Sequence, residues 1–166
     1  MLRDKNLIPL SHQHQHALAL CVRMDRAMQA GDANLEPWQQ EIQQIVEQEI
    51  AIHFEAEEKV IFPAAARFAE LKPLVEELLR EHVELRKSFA RAAARELDHA
   101  GLRALAGELA AHIRKEEREL FEGMQQQVAA DEMVAVGEAL EKELRRATHL
   151  CTLKNTAPSS ESSKSQ

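Results

Sequence analysis

The stretch His53-Phe54-Glu55-Ala56-Glu57-Glu58-Lys59-Val60-Ile61-Phe62 decides how this chain reads. It recurs, position for position, as His112-Ile113-Arg114-Lys115-Glu116-Glu117-Arg118-Glu119-Leu120-Phe121. Both copies follow H-x-x-x-E-E-x-x-I/L-F. A histidine and a glutamate four apart lie on one helix face, about 6 Å apart along the axis at 1.5 Å per residue. In the first copy that face also carries Val46, Ile50, Val60 and Ile61; in the second it carries Leu105, Leu109 and Leu120. Each copy therefore sets an imidazole and a carboxylate inside an apolar stripe.

The stretch before each copy predicts another helix with one histidine in its stripe. The first reads Leu10, His14, Ala17, Leu18 and Cys21; the second reads Leu78, Leu79, His82, Leu85 and Phe89. His12 and His16 share a face with Arg23 and are expected in solvent. Ala, Leu, Glu, Gln and Arg dominate a chain with one Trp and no Tyr, which favours helices over strands. Pro9 suits a first helical turn, with Gly31 closing that helix and Asp32 or Asn34 capping the next. Pro37 opens a second helix that Pro63 should kink or end. Pro73 opens a third and Gly101 closes it. A fourth spans about Leu102 to Val128, and a shorter fifth, capped by Asp131, spans Asp131 to Leu150. From Thr152 onward there is too little apolar content to pack. The expectation is an all-α, up-down-up-down four-helix bundle over 1–150 with a short extra C-terminal helix, followed by a disordered Ser-rich tail over 151–166.

The 166 residues suit one domain with a core large enough to need no staples. A net charge of −7 argues against binding a nucleic-acid backbone. Cys21 and Cys151 are too few for a disulfide framework or a four-thiolate site. No apolar run approaches the ~20 residues of a membrane span, and residues 1–10 lack the apolar core of a secretory signal. A cytoplasmic location is expected.

Four helices thus push His14, His53, His82 and His112 inward, and two of them add Glu57 and Glu116. An ionised carboxylate in a helical core costs several kcal/mol unless a positive group neutralises it. A pair of divalent ions would neutralise both and employ the imidazoles, which suit iron, zinc, copper or nickel. The repeat predicts two similar half-sites facing one another.

At these residues the chain resembles the haemerythrin-like HHE cation-binding domain family, over Leu7 to about Gln127. The resemblance rests on Pro9-Leu-Ser-His-Gln-His14, His53-Phe-x-x-Glu57-Glu-x-x-Ile-Phe-Pro63, Glu81-His82 and His112-Ile-x-x-Glu116-Glu-x-Glu-Leu-Phe121. It implies a non-haem di-iron centre, with His14 and His53 on one iron, His82 and His112 on the other, and Glu57 and Glu116 bridging. Related members imply zinc or manganese as alternatives to iron in this chain. Oxygen carriers of the family have a histidine where this chain has Arg86. They also place the last carboxylate five residues after its histidine, which would select Glu117; the repeat and the shared helix face favour Glu116.

Arg86 is expected to point toward the ions, pairing with Glu57 or Glu116, or to reach solvent along its stem. Glu49 is a candidate acceptor for the other ring N–H of His53. Glu58 and Glu117 are expected to be solvated or paired with Arg and Lys, with either a possible substitute ligand. Cys21 reads as a small core residue, His99 as a cation at a helix C-terminus, and His149 with Cys151 as a weak accessory pair. The resemblance implies binding or sensing of O2 or NO at open coordination positions. The alternatives are a redox enzyme reducing peroxide or NO, an iron donor in repair of iron centres, or a metal that only ties the bundle together. Beyond the ligands no proton-shuttling cluster or substrate motif stands out, which favours a binding protein over a dedicated enzyme.

Overall fold

The computed structural model describes residues 2–31 and 34–155, with side chains through residue 146. Five helices and no strand occur among them: α1 (Ile8–Ala30), α2 (36–65), α3 (Lys72–Ala93), α4 (99–127) and α5 (Ala130–Asn155). None is long and apolar enough to cross a membrane.

The punctuation residues act mostly as expected. Pro9, Pro37 and Pro73 each sit in a first helical turn, where the missing N–H costs nothing. Gly31 closes α1 in the left-handed region at φ 73°, a conformation that glycine adopts without a Cβ penalty. The N-cap of α2 is Leu35 rather than Asn34; the Asn34 carboxamide oxygen, one residue further out, accepts from the Glu36 N–H at 3.2 Å, and Asp32 lies outside the described residues. Pro63 follows a turn widened to the π pattern at Glu57–Ile61, where the hydrogen-bond ladder restarts, and α2 ends two residues later at Ala65.

Gly101 does not close α3. That helix ends at Ala93, and the left-handed residue after it is Arg95 at φ 61°. The Arg95 N–H reaches the Ala92 carbonyl and the Glu96 N–H reaches Arg91, both at 3.0 Å, a Schellman closure made without glycine. Gly101 instead lies in the first turn of α4 and donates its N–H to the Asp98 carboxylate, the N-cap, at 2.9 Å. His99 is therefore the first residue of α4, not a cation at a helix C-terminus. Likewise Asp131 lies within the first turn of α5 rather than capping it, where its charge favours the helix N-terminus. The α5 backbone continues past Leu150 to Asn155. The side chains of His149 and Cys151, and the tail from residue 156, lie outside what is described.

α1 lies against α4, α3 against both α2 and α4, and α5 against α2. The buried apolar residues fall into two clusters. One holds Ala17, Met24, Ile42, Phe54, Leu85 and Leu105. The other holds Leu10, Ile61, Phe62, Leu78, Leu120 and Phe121, covered by Met133, Val136 and Leu140 of α5. Leu79 is 39% exposed and belongs to neither. Along α1 and α3 a buried histidine stands between the two clusters, and along α2 and α4 a buried histidine and glutamate straddle the boundary between them.

Candidate metal centre

The six inward residues gather at that boundary. His14, His53, Glu57, His82, His112 and Glu116 are all buried, and both carboxylates are wholly so. The imidazoles meet in two pairs: His14 and His53 bring their Nε2 atoms to 2.9 Å, and His82 and His112 bring theirs to 3.1 Å. Each carboxylate offers one oxygen to each pair. Glu57 Oε1 lies 3.1 Å from His53 Nε2 and 3.8 Å from His14 Nε2, while its Oε2 lies 3.5 Å from His82 Nε2. Glu116 Oε2 lies 3.2 Å from His14 Nε2, while its Oε1 lies 3.2 Å from His112 Nε2 and 3.8 Å from His82 Nε2.

These donors fit metal ions. None of the four carboxylate oxygens has a hydrogen-bond partner, although all are shut away from water. Buried acceptors left in this state are rare and costly, and ionised ones are costlier. Two ligands each about 2.1 Å from one ion and at right angles stand about 3.0 Å apart, which is the spacing within each imidazole pair. His14, His53, Glu57 and Glu116 form one group that can hold an ion, and His82, His112 and Glu116 form another.

Residues 9–124 match the family model described as the hemerythrin HHE cation binding domain. The chain belongs to that family. No curated protein and no solved structure gives a match.

In this HHE domain the sequence repeat is also a repeat of contacts. Glu57 and Glu116 each begin a turn widened to the π pattern, at 57–61 and 116–120. The following glutamates turn to the histidine of the other pair: Glu58 Oε1 accepts from His82 Nδ1 at 2.8 Å, and Glu117 Oε1 accepts from His14 Nδ1 at 2.7 Å. Phe62 and Phe121 pack on those same rings, with centroids 5.1 and 5.7 Å away. Glu58 and Glu117 thus fix and polarise imidazoles through the far ring nitrogen, an arrangement that turns Nε2 toward the carboxylates and the place an ion would take. The pairing of Glu117 with Arg3 and of Glu58 with Arg86, both at 2.7 Å, follows the expectation that cations answer them.

Arg86 takes the second of its two expected places, with its side chain 43% exposed rather than turned to the inward carboxylates. Its guanidinium bonds Glu58 and lies 5.3 Å from the centroid of the Phe54 ring, and it contacts neither Glu57 nor Glu116. Its reach is spent on the outer carboxylate because Phe54, stacked 3.7 Å from His82, stands beneath it. Glu49 is not the acceptor for His53 either: the Gln13 carboxamide oxygen takes the Nδ1–H at 2.7 Å, and Glu49 faces His16 at 3.7 Å. Glu81 serves His112 Nδ1 at 2.8 Å and is held by Lys115. In the sequence Gln13 and Glu81 have a place in the motifs but no assigned role; each directly precedes an inward histidine, and that adjacency is the available signal.

The charges are strongly linked. Burial lowers the His14 pKa, but Glu116 and Glu117 outweigh it and the group rises to about 9. Burial also opposes the His112 cation, and Glu116 and Glu81 carry it to about 10. Burial raises Glu57, and the neighbouring imidazoles overturn this and bring it well below the usual carboxylate range. Glu116 is pushed up by burial and by Glu57, yet His112 and His14 bring it down. Protons on histidine thus balance the carboxylates, and an ion binding at Nε2 must displace them. Burial lifts the Cys21 thiol to about 11, consistent with a small, inert core residue.

Proposed function

We propose that this chain is a non-haem di-iron protein that binds or senses O2 or NO. The observation carrying the reading is that each buried carboxylate turns one oxygen to each imidazole pair. A single ion would leave two of those oxygens orphaned; with two ions held between them, Glu57 and Glu116 would have all four satisfied. His14 and His53 would hold one ion and His82 and His112 the other. The order of the apolar clusters supports an up-down-up-down bundle around them. The Leu10 cluster precedes the polar layer along α1 and α3 and follows it along α2 and α4.

Each position then has two imidazole nitrogens and two carboxylate oxygens. Four ligands would complete a tetrahedral zinc site but leave room on iron, whose imidazole–carboxylate sites keep open positions. When bound, an iron pair supplies redox-active centres at which O2 or NO binds. The chain's own residues shape the space for such a ligand. A cavity of about 20 Å³ borders His14, His53, His112 and Glu116, walled by Ala17, Ile50, Phe54, Leu109 and Ile113. That is room for roughly one water-sized molecule, with Gln13 and Glu49 completing a mainly apolar lining.

The test is optical. Protein loaded anaerobically with Fe2+ should gain a visible band on exposure to O2 or NO and lose it under argon. Rapid oxidation that argon does not reverse would contradict the binding role and favour redox chemistry.

A further inference from the structure

The repeat pairs each position of one half-site with a position of the other: His14 with His82, His53 with His112, Glu57 with Glu116, Glu58 with Glu117, and Phe62 with Phe121. In each case the residue is the same. The match breaks at Phe54, whose counterpart is Ile113, and, among groups that hydrogen-bond the rings, at the position before the first histidine, with Gln13 in one half and Glu81 in the other. These two side chains do the same job. Gln13 Oε1 accepts from His53 Nδ1 at 2.7 Å, and Glu81 Oε2 accepts from His112 Nδ1 at 2.8 Å. Three of the four imidazoles therefore lean on a carboxylate, and His53 alone leans on a neutral amide.

Granted the two-ion reading, we infer that the two positions differ in affinity and that Gln13 makes the His14/His53 position the weaker. A carboxylate behind an imidazole draws its N–H and makes the opposite nitrogen a better donor; a carboxamide orients the ring with little of that push. Both imidazoles of the His82/His112 position have the push, and only His14 has it in the other. Loss of such an outer partner costs about 10–100-fold in metal affinity, so exchange of carboxylate for amide should separate the two sites by about tenfold. Gln13 is a positioning residue here, acting through His53.

The experiment titrates metal-free, nitrogen-15-labelled protein with Zn2+ and follows the histidine ring nitrogens by NMR. The His82 and His112 signals should move with the first equivalent, and those of His14 and His53 with the second. In Gln13→Glu the two pairs should move together, and Glu81→Gln should bring the first step toward the second. Both replacements keep the side-chain shape, so folding is preserved. Simultaneous movement in the wild type, the opposite order, or an unchanged order in Gln13→Glu would overturn the inference while leaving the two-ion reading intact. Saturation at a single ion would overturn both.

Discussion

At the scale of single residues, the reach of sequence reasoning stops at the helix surface. Periodicity places His14, His53, His82, His112, Glu57 and Glu116 inward because burial of a face depends on one helix alone. It cannot say which outward neighbour meets which ring, since that depends on how two helices align. Gln13, Glu81 and the real partner of Arg86 became visible only with that alignment. The inward set makes a sharp prediction. His53→Ala and His112→Ala should each lose most of the bound metal, whereas His99→Ala, at the far start of α4, should keep it. Metal content of the three purified variants checks this, and equal content in all would sink the assignment. The raised His14 and His112 add a second prediction. Loading the metal-free protein at pH 7.5 should release protons, detectable as buffer-dependent heat in calorimetry, because those imidazoles sit at about 9 and 10. Heats that do not vary with the buffer would mean that the rings bind ions without having held protons.

Among the elements, prolines were read more faithfully than glycines. Proline removes a donor wherever it stands, so its place at a helix start follows from chemistry. Glycine permits several roles, and Gly101 serves inside a first turn while Arg95 takes the left-handed position that glycine would fill. Replacing Arg95→Gly should therefore stabilise the protein by about 0.5–1 kcal/mol in urea melts, by relieving the Cβ crowding of that conformation. Its ion pair with Glu36 is exposed and offsets little of this. Asp98→Ala should cost about 1 kcal/mol by leaving the first N–H groups of α4 uncapped. Gly137 is constrained by approach rather than by φ. A Cβ there would stand 2.5 Å from Asn6 Oδ1 and 2.7 Å from Asn6 Cβ. Gly137→Ala should push the N-terminal lead off α5, at a cost on the order of 1–3 kcal/mol. The widened turns at Glu57 and Glu116 had no sequence signal apart from the repeat itself, because the sequence does not mark where a ladder takes an extra residue.

For the whole molecule, two apolar clusters close on a polar layer that only ions or protons can neutralise. All-helical class and the number of helices were legible from composition and stripe, whereas the ends of α3 and α5 were not. Without metal, protons on His14 and His112 do the neutralising. Their folded pKa values lie above the ordinary 6.5, so this support is full below about pH 6.5 and fades as pH rises toward 9–10. Glu57 and Glu116 are depressed, so their share is present above about pH 4.5 and is lost in acid. The metal-free form should accordingly be firmest near pH 5–6. The gain in Tm on loading should be larger at pH 8 than at pH 6. With metal at a thousandfold over Kd, about 4 kcal/mol of added stability corresponds to roughly 8–16 °C for a chain of this size. Equal melting of both forms at pH 8 would mean that these carboxylates are not gathered around ions.

The claim on which the rest depends is that Glu57 and Glu116 join two ions at the centre of the bundle. Protein reconstituted anaerobically with Fe2+, freed of excess metal and measured by iron analysis and X-ray absorption should hold about two irons per chain, with an iron–iron distance of about 3.5–4 Å. One iron per chain, or two with no iron–iron scattering at that distance, would contradict it.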